Sequence, residues 1–173
     1  NDPSIRALNP SLRLPDQRIK PIYPTGNSGA DFLFSSYLSQ VSSSFAARHR
    51  SGSLSGSIPR SHSGGEVVRR VERTMGALSY VEYEFARRRG LSFARLVNRD
   101  GKVVAPGGST FNAAGMNADW SESLGYYTLL TNQKGAASWP ITGASFALMH
   151  GSVRNGPAAG EALRFFDWAY NCG

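Results

Sequence analysis

One cysteine and three histidines in 173 residues leave this chain little with which to build a metal or redox centre. Cys172 stands alone, which excludes an intrachain disulfide and a cysteine-based zinc site, and a lone thiol does not assign a redox compartment. His49, His62 and His150 are far apart, and none falls in a His-x-x-x-His or Glu-x-x-His frame. No apolar run approaches the roughly 18 residues of a membrane span, so no membrane insertion is expected. The start, Asn1-Asp2-Pro3, has neither an initiator Met nor the basic and apolar opening of a signal peptide, and reads as a processed chain or a fragment. Charged residues make up 18% of the chain, below the usual share of about a quarter. That scarcity excludes a coiled coil and a charged disordered tail. There is no internal repeat.

What is present is serine, glycine and a basic excess. The 40% hydrophobic share suffices for a core at this length, and residues 1–173 read as one α/β domain. The net charge is +7, and it is uneven. Between Arg48 and Arg73 there are six Arg and two His against two Glu, followed by Arg87, Arg88, Arg89, Arg95, Arg99 and Lys102. Such clustering can mark a nucleic-acid or acidic-membrane partner. No aromatic-interleaved RNA-binding motif, zinc-finger spacing or helix-turn-helix pattern accompanies it. A solvated basic surface is therefore favoured over a nucleic-acid partner, and such a surface can also steer a small anion toward a cleft.

Pattern along the chain predicts a helical turn over 4–8 and a short strand over 18–23, with Pro21 placing it at an edge. The turn cluster Pro24-Thr25-Gly26-Asn27-Ser28-Gly29-Ala30-Asp31 follows, then a helix carrying Phe32, Leu33, Ser36, Tyr37 and Val41. Residues 42–65 are Ser/Gly-rich and read as a loop within the domain. A helix is expected over 66–74, capped near Ser63 or Gly64, with Val67, Val68 and Val71 inward and Gly76 as its stop. A strand over 77–83 and a short helix over 85–89 come next. Segments 91–97 and 102–104 flank Asn98-Arg99-Asp100-Gly101, a strong hairpin signal. A helix over 109–118 with Ser109 or Thr110 as its cap, strands over 126–131 and 145–150, and an amphipathic helix over 160–171 complete the reading. Alternating strands and helices give an α/β fold, a mixed sheet flanked by helices.

Chemistry concentrates at one place. Between the strand and helix around position 30, Gly26 and Gly29 permit close backbone approach, and Asn27 and Ser28 can cap. Exposed N–H groups at a helix start, aided by the helix dipole, suit phosphate, sulfate or carboxylate. The pattern is not a P-loop, lacking Gly-Lys-Ser/Thr. Gly64-Gly65-Glu66 opens another helix, but Glu66 itself complements that dipole. Gly52-Ser53-Leu54-Ser55-Gly56 does not match a nucleophile elbow. Ser28 has no assignable His/Asp partners, and Glu82 and Glu84 have no evident acid/base partner. The chain reads as a non-enzyme with no catalytic residue, no cofactor and no metal. Trp120, Trp139 and Trp168 read as core rather than as a stacking platform.

Several stretches resemble the phosphate-binding proteins of bacterial phosphate ABC transporters, a periplasmic substrate-binding-protein family. They are Asn1-Asp2-Pro3 through Leu8-Asn9-Pro10; Asn27-Ser28-Gly29 before Phe32; Gly76-Ala77-Leu78-Ser79-Tyr80-Val81-Glu82-Tyr83; and Phe111 to Trp120, ending Asn-Ala-Asp-Trp. Leu130-Thr131-Asn132, Trp139-Pro140-Ile141-Thr142 and Phe165-Phe166-Asp167-Trp168-Ala169-Tyr170 follow in family order. The resemblance implies a type II-like two-lobe fold of which this chain is the second lobe. It further implies phosphate or another small anion as ligand, a missing first lobe and a membrane permease as partners, and a periplasmic or exported setting.

The loop departs from the family pattern Arg-Ser-Asp-Gly-Ser-Gly-Thr. Pro24 stands at the Arg that pairs with phosphate, Thr25 at the Ser, and Gly26 at the Asp that holds the Arg. Asn27, Ser28 and Gly29 follow, and Ala30 replaces the Thr hydroxyl. Loss of the charged partner of a desolvated anion costs about 3–5 kcal/mol. Arg60 is one candidate to reach the pocket in its place. Two readings follow: an anion-binding lobe acting through Thr25, Gly26, Asn27, Ser28, Gly29 and Ala30, or a lobe with a degenerate site serving as a protein-interaction or structural module.

Overall fold

The computed structural model describes residues 2–24, 28–50, 60–61, 63–148 and 156–172. Seven α-helices and six two-residue strands follow in the order α1 (Pro3–Leu8), β1 (Lys20–Pro21), β2 (Tyr23–Pro24), α2 (Gly29–Val41), α3 (Ser43–Arg50), β3 (Arg60–Ser61), α4 (Gly64–Arg73), β4 (Ala77–Leu78), α5 (Tyr83–Arg88), β5 (Leu96–Val97), β6 (Val103–Val104), α6 (Gly108–Met116) and α7 (Gly156–Asn171). The class is α/β with mixed pairing. β1 pairs with β4 and β2 with β3 in parallel, while β5 and β6 form an antiparallel hairpin. Pairing is thus spread over three two-stranded sheets among the described residues, where one mixed sheet was expected.

The parallel pairs are built around one extended segment. Pro21 and Pro24 each lack an N–H, which keeps the ladders short. Lys20 donates its N–H to the Gly76 carbonyl at 2.8 Å and Ile22 to that of Leu78 at 2.9 Å, so β4 lies along the first half. β3 lies along the second, with Tyr23 opposite Arg60 and Pro24 opposite Ser61. Helix α4 packs on β2, β3 and β4 and supplies Val67 and Val68, both fully buried. Ser63 caps it, its Oγ accepting from the Glu66 N–H at 3.3 Å. Gly76 turns the chain from α4 into β4 at φ +76°, where a Cβ would stand 2.7 Å from the Arg18 carbonyl oxygen.

A second packed region spans residues 96–142. Val104, Pro106, Ala114, Leu130, Trp139 and Pro140 are buried there. Asn98, 5% exposed, ties it together. Its Nδ2 donates toward the carbonyls of Gly135, Ala136 and Ser138 at 3.0, 3.1 and 3.2 Å. Its Oδ1 accepts from the N–H groups of Asp100 and Lys102 at 3.1 and 2.9 Å. Asp100 returns the tie by accepting from the Gly135 N–H at 3.0 Å. Gly135 has φ +110°, and a Cβ there would sit 2.4 Å from Asn117 Nδ2.

Six local expectations change. Within the expected 42–65 loop, residues 43–50 are helical. Ser42 Oγ accepts from the Phe45 N–H at 3.2 Å, and the Phe-Ala-Ala-Arg stretch that follows sustains the turn. Tyr83, expected at the end of a strand, begins α5, where its ring meets Phe93 and Phe111 edge-on. The cap of α6 is Gly107 rather than Ser109 or Thr110, because the Thr110 hydroxyl turns back to the carbonyls of Ala105 and Gly107. The strand expected over 126–131 reduces to a bridge between Thr131 and Ile141: Gly125 and Tyr126 adopt successive left-handed conformations, φ 65° and 55°, that extended pairing does not allow. Residues 145–148 are irregular, and His150 lies outside the described residues. Of the three tryptophans, Trp139 is buried as expected, whereas Trp120 and Trp168 are exposed.

Candidate functional site

Ser28 opens α2. Its φ/ψ of −97°/150° is extended, its carbonyl accepts from the Phe32 N–H at 3.1 Å, and its Oγ accepts from the Asp31 N–H at 3.1 Å. This is the cap that a Ser before a helical pattern predicts. Two first-turn N–H groups, those of Gly29 and Ala30, find no partner among the described residues. Gly29 is exposed, and no heavy atom approaches within 4 Å of where its Cβ would be. Among the described residues the helix start is therefore open, with these two donors and the Ser28 hydroxyl side by side. Thr25, Gly26 and Asn27 lie outside the described residues, as does the Arg60 side chain; the β3 backbone of Arg60 runs parallel to β2, opposite Tyr23.

An aromatic frame holds this helix start. Tyr80 stacks on Phe34 of α2 with ring centroids 4.0 Å apart and meets Tyr23 of β2 edge-on at 6.3 Å. The Tyr80 hydroxyl donates to the Asp31 carboxylate in the first turn of α2. Ser79 fixes the segment before it, its Oγ donating to the Ile22 carbonyl at 2.6 Å. Pro24, at the position of the family's Arg, is buried and serves β2 instead. Sequence reasoning missed Asp31 and Tyr80. The acidic residue three places after the cap is visible as a dipole partner, but nothing in the sequence links it to Tyr80, 49 residues away. Asp31 places negative charge within one turn of the Gly29 and Ala30 N–H groups, and this charge works against a second anion there.

The basic surface is partly self-neutralised. Glu84 accepts from Arg87 at 2.9 and 2.8 Å and from Arg88 at 2.9 Å, and the hydrogen bonds of these two arginines draw its carboxyl down to about 2. Arg89 of the following turn makes a two-pronged contact with Glu72 of α4 at 2.9 and 2.8 Å, which also lowers that carboxyl. Glu66 pairs with Arg70 at 3.1 Å. A second polar cleft, away from these pairs, is lined by Arg99, Asn117, Asp119, Gln133 and Lys134. Among the described residues no group of three or more His, Cys, Asp or Glu side chains could hold a metal ion, and no helix is long and apolar enough to cross a membrane.

The sequence pattern of the PBP superfamily domain matches residues 3–171. Among curated proteins, the chain is 37% identical over 178 residues to the phosphate-binding protein PstS of Haemophilus influenzae, covering all of this chain and 52% of that protein. It is 35% identical to PstS of Pasteurella multocida, covering 51% of it, and 34% identical to PstS of Xylella fastidiosa, covering 48%. The chain thus spans about half the length of these relatives. A match running from α1 through α7, over a fold with the expected mixture of parallel and antiparallel pairs, shows that this chain belongs to the PBP superfamily, as a single lobe akin to part of the phosphate-binding proteins.

Proposed function

We propose that this chain is a non-catalytic, anion-recognising lobe of a phosphate-binding protein, contributing half of a cleft for phosphate or a related oxyanion in ABC-type uptake or sensing at the periplasmic face. The observation that carries this reading is the exposed start of α2, where the N–H groups of Gly29 and Ala30 have no partner among the described residues and the Ser28 hydroxyl lies beside them. Thr25, Gly26 and Asn27 belong to the same proposed loop. Backbone donors and the helix dipole suit a tetrahedral oxyanion without requiring a cofactor. The relatives' role as phosphate-binding proteins supports the choice of ligand. Titration calorimetry with inorganic phosphate tests it. Saturable heat at millimolar phosphate or below, lost in Ser28→Ala, is expected; no heat from the 173-residue chain at millimolar ligand overturns the proposal for this chain.

One observation favours a second reading, a lobe whose ligand site has degenerated into an interaction or structural module. Pro24 and Ala30 remove an arginine charge and a hydroxyl from the family loop, while Asp31 places a carboxylate in the first turn of α2. Competition between Asp31 and an added anion is the distinguishing feature. Asp31→Asn strengthens phosphate binding if the site is functional and leaves a silent titration silent if it is not.

A further inference from the structure

The polar cleft at the C-terminal end of α6 shares no residue with the start of α2. It is open to solvent, has a volume of about 500 Å³, and is lined by Arg99, Asn117, Ala118, Asp119, Gln133 and Lys134. Sites for small molecules span about 300–1,000 Å³. No large apolar side chain lines this one, so it suits a charged ligand. Its frame is cross-tied from behind. Arg99 stands in the hairpin turn and Lys134 opens the 134–138 turn, the two turns that Asn98 joins. Ser138 Oγ donates to the Lys134 carbonyl at 2.7 Å, and Asn117 Nδ2 donates to the Ala113 carbonyl at 2.8 Å and to Ser138 Oγ at 3.3 Å. The backbone that carries each lining group is thus held in place before any ligand arrives, which lowers the cost of binding.

The lining groups themselves are largely unused. Arg99 and Lys134 form no hydrogen bond or ion pair with another side chain among the described residues, although Asp119 lines the same cleft. Asp119 commits one oxygen to the Ser121 N–H at 3.0 Å and keeps the other. Gln133 Nε2 donates to the Leu129 carbonyl at 2.8 Å, so that its amide oxygen, like that of Asn117, has no partner among the described residues. Asn117 is also the C-cap of α6, which brings the negative end of the helix dipole to the cleft. Two cations and three oxygen acceptors, one of them charged, therefore share one cleft with one positive charge in excess. We propose that this cleft binds an acidic amino acid, L-glutamate or L-aspartate. Arg99 and Lys134 each take one carboxylate, and the ammonium group donates to the oxygens of Asp119, Asn117 and Gln133. A ligand with two carboxylates and one ammonium balances the excess charge of the cleft. Inorganic phosphate would satisfy the two cations but would set a second anion against Asp119. The inference rests on this cleft alone and is independent of the anion reading at α2.

Titration calorimetry of the 173-residue chain with L-glutamate and with L-aspartate tests it. Saturable heat is expected with at least one of them at millimolar concentration or below. Glutarate, which lacks the ammonium, and L-glutamine, which lacks the second carboxylate, are each expected to bind at least about tenfold more weakly than L-glutamate, the equivalent of one charged contact. This comparison needs no variant. Arg99, Asp119 and Lys134 are exposed, so Arg99→Gln, Asp119→Asn and Lys134→Gln keep the urea midpoint while each weakens binding by about tenfold. Ligand-induced amide shifts at Ala118 and Lys134, with none at Gly29, and an affinity unchanged in Ser28→Ala separate this cleft from the α2 start. No heat with either amino acid, equal affinity for glutarate or L-glutamine, full binding in the three cleft variants, or shifts confined to Gly29 each overturns the proposal.

Discussion

Asn98 is the residue on which the packed half of the molecule depends most. Its side chain, 5% exposed, lies within hydrogen-bond distance of five backbone groups and joins the hairpin turn to the 134–138 turn. Asn98→Ala removes the side-chain partner of five backbone groups at once. A loss of about 2–4 kcal/mol is expected in urea denaturation, at the upper end for one side chain because several partners are orphaned together. Gly135 is constrained by conformation as well as by space. Gly135→Ala meets a left-handed φ and a clash with Asn117, and a loss of about 1–3 kcal/mol is expected by the same measurement. To the fold, Ser28 contributes its helix cap. Ser28→Ala is expected to cost about 1 kcal/mol, read in the same experiment, whatever it does to anion binding. The Asp-Gly turn beside Asn98 was legible in the sequence because turn chemistry is local. That Asn98 would reach three carbonyls some 37–40 residues away was not, since only folding brings them together.

At the scale of elements, helices were easier to foresee than strands. α4 follows from Ser63, Glu66 and the spacing of Val67, Val68 and Val71, because cap, dipole and apolar face all lie within ten residues. Strands two residues long carry almost no period, so the places where pairing stops were hidden: Tyr83 turning into α5, and Tyr126 closing the strand expected after Gly125. Serine composition also misled. Ser42 looks like loop material until its Oγ is seen capping α3. The α5 helix yields a pH prediction. Glu84 has an ordinary carboxyl value of 4.5 and is held at about 2 in the folded chain by Arg87 and Arg88. A folded value below the unfolded one means the contacts stabilise the fold above pH 4.5 and are lost as pH falls toward 2. The residues are exposed, so the effect is modest. Urea midpoints should fall between pH 5 and pH 2.5, with a shallower fall in Glu84→Gln.

For the molecule as a whole, the +7 charge and the half-length match belong together. Arginines on and beside α4 and α5 pair with Glu66, Glu72 and Glu84, which neutralises part of the basic surface. The family was legible from short stretches strung along the whole chain, and the match over residues 3–171 agrees. The state of the anion loop was only half legible. Substitutions at Pro24 and Ala30 are visible in the sequence, but the carboxylate of Asp31, held by Tyr80 at the helix start, is a tertiary fact. Weak, salt-sensitive phosphate binding is expected. Raising ionic strength from about 20 to 200 mM with a non-coordinating salt should reduce the apparent affinity severalfold if the basic surface steers the anion, as calorimetry at the two strengths would show.

The solitary Cys172 lies exposed just past the end of α7, its N–H bonded to the Trp168 carbonyl at 2.8 Å. Chemically, the chain carries a single addressable thiol one helical turn from an exposed indole. A maleimide-linked nitroxide or fluorophore placed there needs no engineered site and no removal of competing thiols. It would read the local environment of α7 while Trp139, buried on the far side of the sequence, reports separately on the integrity of the packed core.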